Sequence, residues 1–211
     1  MADELVDIFD EDMTFLGTAM KSQAHREGLW HKTFHCWLAR RTPDEKILLW
    51  LQLRTPNKDI FPNKFDVSAA GHIRAGEEVK DGYREIQEEL GLQLNKNDIV
   101  KLFTSKEIYD GGGIHNREFQ MVYVAMVDVS PHDAVLQPEE VSGLYEVEIN
   151  DFIDLLTGKY PSIEIEGIKR NQDNSYTLEH CHITRDDIAG HSTEYFIKAA
   201  EMVKRYVENA K

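Results

Sequence analysis

AAGHIRAGEEVKDGYREIQEELGL, residues 69–92, reads as a short strand, a loop bounded by Gly71 and Gly76, and a helix stopped by Gly91. The helix is expected over Val79 to Leu90. Ile86 and Leu90 are four apart, as are Val79 and Tyr83, and a glycine past the last periodic residue supplies the left-handed stop. On such a helix Asp81, Glu85 and Glu89 follow at steps of four, with Glu88 three past Glu85, so one face gathers four carboxylates. Like charges at that spacing cost a few tenths of a kcal/mol per pair, roughly. In a partly closed site the cost grows unless the carboxyls hold their protons or a cation binds. Oxygen ligands of this kind suit Mg²⁺ or Mn²⁺, which keeps some waters and reaches substrate phosphates. A solvated acidic face is the alternative on spacing alone. Glycines on both sides of the helix are more organisation than such a face requires.

Outward from this segment, helical and extended stretches are mixed. Leu5 to Phe9 reads as a strand, Asp10-Glu11-Asp12 as a turn, Phe15-Leu16 as a second short strand, and Ser22 to Glu27 as a polar helical turn. Thr33 to Arg40 alternates, with Phe34, Cys36 and Leu38 on one face and His35 and Trp37 on the other. Pro43 to Lys46 is a turn before an apolar strand, Ile47 to Leu53, and the two strands pair most economically as a hairpin. Asn57 to Asn63 is loop and Phe65 to Ala70 is extended. Further strands are expected at Ile99 to Glu107, Phe119 to Asp128 and Gly143 to Ile149, with Gly111-Gly112-Gly113 as an exposed turn. Asn150 is a candidate N-cap for a helix bearing Phe152, Ile153, Leu155 and Leu156 and ended at Gly158. Arg170 to Asn174 shows no period. A last helix, Thr193 to Glu208, puts Phe196, Ala199, Ala200, Val203 and Val207 on one stripe, able to cover the sheet or join two copies. The class is α+β with a mixed or antiparallel sheet, because too few helices intervene for a doubly wound one.

The chain of 211 residues suits one well-filled domain; residues 1–30 and 170–211 are expected as an N-terminal and a C-terminal helical extension of it. Acids outnumber bases 38 to 24, for a net charge of -14. That field repels nucleic-acid polymers and anionic bilayers, and phosphate substrates too unless a cation intervenes. The start has no basic or apolar leader, and no apolar run approaches a membrane span. Cys36 and Cys181 form no CxxC pair and read as two reduced thiols, which points to a cytoplasmic location.

The quoted segment resembles the Nudix box of the Nudix hydrolases, G-x5-E-x7-R-E-U-x-E-E-x-G-U with U a bulky aliphatic residue. Arg84 to Leu92 matches the second half in full, and Gly71 and Glu77 match the first. Six residues separate Glu77 from Arg84 where the pattern has seven. The resemblance implies an α/β/α sandwich with a mixed sheet and Mg²⁺-dependent attack of water on a nucleoside or other organic diphosphate. It implies that Glu85, Glu88 and Glu89 hold metal, with Arg84 bracing them and Glu77 in support. Glu118, after the triple glycine, is similarly placed to a late glutamate that binds metal or takes a proton in several Nudix enzymes.

The chain also resembles the branch that includes type I isopentenyl-diphosphate isomerase. The signs are Ala24-His25, Leu29-Trp30-His31 and Gly71-His72, with Lys58, Asp59 and Phe61-Pro62. In that isomerase two early histidines, the box histidine and two later glutamates bind a metal. His25, His31 and His72 match the histidines, the first pair one residue closer together, and Glu118 matches the second glutamate while Asn116 replaces the first. A second metal at His25, His31 and His72 is therefore a candidate, beside the plainer reading of separate hydrogen-bonded histidines. Ala70 stands where the isomerase has its catalytic cysteine, and a methyl group cannot move a proton.

Arg54 and Lys64 flank the loop leading into the box and could meet a diphosphate, while Trp30, Trp37 or Phe65 could stack on a base. The expected function is diphosphate hydrolysis of a small molecule, against isomerisation or a non-catalytic nucleotide-binding module; a homodimer is expected in part from the resemblance.

Overall fold

The structure is a computed structural model that describes residues 3–210, so the outermost ends of both expected extensions lie outside the described residues. The N-terminal part holds β1 (Leu5–Phe9), β2 (Phe15–Met20), α1 (Lys21–Glu27), β3 (Trp30–Arg41) and β4 (Ile47–Arg54). Short strands β5 (Phe65–Asp66) and β6 (Ala69–His72) lead into α2 (Arg84–Leu90). A long hairpin, β7 (Val100–Gly111) and β8 (Ile114–Met126), follows, then β9 (Val141–Glu148) and α3 (Ile149–Leu156). The chain ends with β10 (Ile163–Arg170), β11 (Tyr176–Ile183) and α4 (Thr193–Asn209). Among the described residues no helix is long and apolar enough to cross a membrane.

The strands form one mixed sheet whose long path runs β11-β10-β9-β4-β3-β1-β2. β3 is its pivot. It runs parallel to β8, with His31 opposite Glu118 and Thr33 opposite Gln120. Along its other edge it pairs antiparallel with β6, Thr33 facing His72 and His35 facing Ala70. The alternation along β3 sorts two cores, since successive side chains leave opposite faces of a strand. Phe34, Cys36 and Leu38 pack with Ile86 and Leu90 of α2 on one face. Trp37 and Ala39 pack on the other with Phe152 of α3 and the Phe196, Ala199, Ala200, Val203 and Val207 stripe of α4. Helices thus lie on both faces, an α/β/α sandwich. The last helix covers the sheet with that stripe.

Several elements differ from the expectation. The single helix from Val79 is a 3-10 segment, Val79–Tyr83, followed by α2. Gly82 explains the tight turn: a Cβ there would come within 2.5 Å of the Phe34 Cβ, so this stretch is pressed against β3. A 3-10 helix climbs about 2.0 Å per residue against about 1.5 Å in an α-helix, so its five residues advance about as far as six or seven α-helical ones. The stretch between Glu77 and Arg84, one residue short, is made up in this way. Glu148, not Asn150, caps α3, its side chain accepting from the backbone N–H groups of Asn150 and Asp151. Residues 170–192, expected within a helical extension, contain β11 and a 3-10 turn, and only Thr193–Asn209 is helical. The β10–β11 hairpin was legible as alternation in IEIEGIKR and turns through the polar Arg170–Asn174 stretch. Finally, β8 begins at Ile114, so Glu118 sits inside a strand rather than at its start.

Candidate active site

A cleft of about 620 Å³ opens over β6, lined by groups from both sides of that strand. Glu85, Glu88 and Glu89 enter it from α2; His25, His72, Asn116 and Glu118 line a second portion; Arg54, Lys58 and Lys21 supply positive charge.

The α2 portion depends on Gly71. A Cβ at that position would lie 2.1 Å from Glu85 Cδ, so the carboxylate rests against backbone that only glycine leaves bare. Glu89 is 3 % exposed and accepts the Ala70 backbone N–H at 3.0 Å. Arg84 links the acids: NH1 donates to Glu85 Oε1 at 2.5 Å and Glu88 Oε2 at 3.2 Å, Nε to Glu77 Oε1 at 3.1 Å, and NH2 to the His72 carbonyl at 2.9 Å. Glu77 also accepts the Arg74 backbone N–H, so its supporting place survives the shortened loop. Burial pushes the Glu85 carboxyl up to about 7 despite Arg84 beside it. Burial, then Glu85 itself, pushes Glu89 well above the ordinary carboxylate range. Two such groups face a large charge penalty that a divalent cation relieves. Asp81 does not join them: it is tied to Lys96 and to the backbone N–H of Glu78, away from the cleft. The irregular start of the helix breaks the four-residue spacing that placed it with the others.

The second portion is a compact ligand set. One donor atom each from His25, His31, His72 and Glu118 lies within 4.8 Å of all the others. Glu118, expected either with the α2 acids or, by the isomerase resemblance, with the histidines, is grouped with the histidines because β8 pairs it with His31. Burial is the main force holding the histidines uncharged, His25 down to about 4 and His31 and His72 also lowered. His31 Nδ1 donates to the Leu29 carbonyl at 2.8 Å, which leaves a lone pair on Nε2. Among the described residues that buried nitrogen has no hydrogen-bond partner, and it lies 4.0 Å from Glu118 Oε1. His72 Nε2 and His25 Nε2 face one another at 3.3 Å. An orphaned lone pair among neutral imidazoles and a carboxylate fits a transition-metal or Mn²⁺ site, with the Leu29 carbonyl as the outer partner that fixes the tautomer.

Of the two expected substrate cations, Arg54 lines the cleft, paired with Asp66 at 3.1 Å. Lys64 is turned away and donates to the Asp186 carbonyl. Its place is taken by Lys58, which pairs with Glu140. Trp30 stacks on Phe119, Trp37 is fully buried, and Phe65 packs on Tyr145, so all three serve the cores and Phe61 is the aromatic ring that lines the cleft. Residue-by-residue reading missed Glu140, Asp66, Glu107, His35 and His191 in the lining. The pair Glu139-Glu140 was a visible signal; nothing local marked His191, because its partners are far away in sequence.

A mixed sheet between helical layers, with a glutamate helix facing a cleft, defines the class, and the chain belongs to the Nudix family: the NUDIX domain matches residues 29–164. It sits on the branch that includes isopentenyl-diphosphate isomerases. An uncharacterised Nudix hydrolase of Clostridium acetobutylicum is 37% identical over 197 residues, covering 93% of this chain and 95% of that one. Nudix hydrolase 3 of Arabidopsis thaliana is 33% identical over 77% of this chain, which spans 21% of that longer protein. An isopentenyl-diphosphate Delta-isomerase of Serratia proteamaculans is 30% identical over 74% of this chain and 82% of its own length. Among solved structures, a Deinococcus radiodurans protein aligns with a TM-score of 0.56 at 21% identity, over 74% of this chain and 90% of that one, a likeness of fold.

Proposed function

We propose that this protein is a divalent-metal-dependent hydrolase that splits the diphosphate bond of a nucleoside diphosphate derivative or a related organic diphosphate. One observation carries the reading: the buried carboxylates Glu85 and Glu89 open on the same cleft as Arg54 and Lys58. Acids that call for a cation and bases that suit phosphate oxygens share one space. Mg²⁺ or Mn²⁺ would be held by Glu85, Glu88 and Glu89, and a second ion by His25, His31, His72 and Glu118. A bound ion of this kind stabilises charge on the transferring phosphoryl group and lowers the pKa of water. The chain's own groups orient the rest. Arg84 fixes Glu85 and Glu88, while Arg54 and Lys58 draw the diphosphate against the protein's negative field. Arg84 occupies one oxygen of Glu85 and the Ala70 N–H one oxygen of Glu89, so each keeps its other oxygen for a metal ion.

Isomerisation is the second reading, favoured by the identity to isomerases across most of the chain. Ala70 argues against it, since neither cysteine is near that position in sequence and Cys36 is wholly buried on the α2 face. A panel of organic diphosphates, including isopentenyl diphosphate, ADP-ribose, dinucleotides and CoA derivatives, incubated with Mg²⁺ or Mn²⁺ separates the readings. Hydrolysis abolished by EDTA and by Glu85→Gln or Glu89→Gln is the expected result. Full activity in either variant, or isomerised product without hydrolysis, refutes it.

A further inference from the structure

A row of polar side chains on β3 continues past the metal-ligand set, and its last member, His35, has no part in the mechanism above. His31, Thr33 and His35 share one face of the strand by alternation. Thr33 Oγ1 donates to Glu118 Oε2 at 3.3 Å, and His35 follows it, lining the cleft opposite Ala70 on β6. Ala70 offers no polar side-chain atom to compete there.

His35 is held from behind by the last helix. Its Nδ1 lies 2.7 Å from the Tyr195 hydroxyl, and both residues are buried. Among the described residues the Tyr195 hydroxyl has no other hydrogen-bond partner, so its proton goes to His35 Nδ1 as the acceptor. The imidazole proton therefore resides on Nε2, which no protein group bonds among the described residues. Beside it His191 is clamped between Glu107 and Asp66 Oδ1, the latter at 3.2 Å, and its ring centre is 5.6 Å from that of His35. Burial, and then the charge of His191 at that separation, keeps His35 neutral.

We propose that His35 is a substrate-contacting residue, its Nε2–H donating a hydrogen bond to an oxygen of the bound diphosphate, with Tyr195 as the positioning residue that fixes the tautomer. This rests on reading the cleft as a diphosphate site. A neutral donor in a cleft crowded with charge adds an anion contact without adding repulsion toward the metal ions.

The test uses the full chain and methylenediphosphonate, a diphosphate that cannot be hydrolysed, with Mg²⁺ present. Calorimetry follows its affinity, and ¹⁵N NMR of labelled imidazoles follows His35 in the unmutated protein. The expected results are a shifted Nε2–H resonance on binding and an affinity loss of about 10- to 100-fold in His35→Ala, the worth of a hydrogen bond to a charged group. His35→Gln, whose amide N–H can take the place of Nε2–H, recovers part of that loss. Tyr195→Phe weakens binding less than His35→Ala and alters the tautomer signal. An unshifted Nε2–H resonance in the unmutated protein overturns the proposal, and so does unchanged affinity in His35→Ala. Failure to bind the analogue overturns it too. Hydrolysis of a panel substrate with His35 silent leaves the hydrolase reading standing and removes only this one.

Discussion

The Glu85 carboxylate occupies the place where a side chain on Gly71 would begin, 2.1 Å from Cδ to the position of a Cβ. Gly71→Ala therefore must displace Glu85 or the backbone of β6. We expect a loss of at least about tenfold in Mg²⁺ or Mn²⁺ affinity and of activity, with about 1–3 kcal/mol of destabilisation from overpacking. Metal titration by calorimetry alongside thermal unfolding checks both. An unchanged metal affinity would show that Glu85 is not a ligand.

Arg84 donates to Glu77, Glu85, Glu88 and the His72 carbonyl, and we propose that it braces the acids and does not contact the substrate. Arg84→Gln should weaken metal binding by about 10- to 100-fold, the usual cost of losing an outer-shell partner. Substrate KM measured at saturating metal should change far less. A variant with normal metal affinity and a raised KM would place Arg84 on the substrate instead.

Without metal, Glu85 sets a pH dependence of stability. Its carboxyl is raised from 4.5 to about 7, so between those values the folded state binds more protons than the unfolded one. The contribution is complete below pH 4.5 and is lost as pH rises through about 7, on the order of 3 kcal/mol. In EDTA the melting temperature should fall across that window, and saturating Mg²⁺ should flatten the fall. A profile identical with and without metal would exclude an ion at Glu85.

His191 has the same sign of pH dependence as Glu85 but a window that lies higher, so its stabilisation persists at neutral pH. Burial pulls its pKa down, yet Asp66 and then Glu107 lift it from 6.5 to about 10. As the folded value is the higher one, the stabilisation is complete below pH 6.5 and lost as pH rises through about 10. An imidazole ¹⁵N spectrum at pH 8 should show His191 doubly protonated. His191→Gln leaves Asp66 and Glu107 without their shared cation and should cost a few kcal/mol, as breaking buried ion pairs does.

The histidine set makes a separate prediction. His31→Ala removes the orphaned Nε2 and should abolish tight binding of Mn²⁺ or Zn²⁺ at that set. Binding of Mg²⁺ at the α2 acids should change much less. Loss of both together, followed by metal-dependent fluorescence or paramagnetic relaxation, would mean one shared centre.

Sequence alone determined the family, the layers around the sheet and the identity of the α2 acids. The family and the layers follow from the resemblance that the box motif carries, and the α2 acids from helical spacing and the glycines that bound the loop. It also marked His25, His31, His72 and Glu118, through resemblance to the isomerases. Tertiary structure decided which carboxylates share a site. It moved Asp81 out by tightening the first helical turn against Phe34, and decided between the two places offered for Glu118 in favour of the histidines, by parallel pairing of β3 with β8. It exchanged Lys64 for Lys58 and brought His191 and Tyr195 to His35 from 156 and 160 residues along the chain. Spacing along one element is written locally, whereas proximity between elements is set by sheet register and by the faces that apolar side chains must bury.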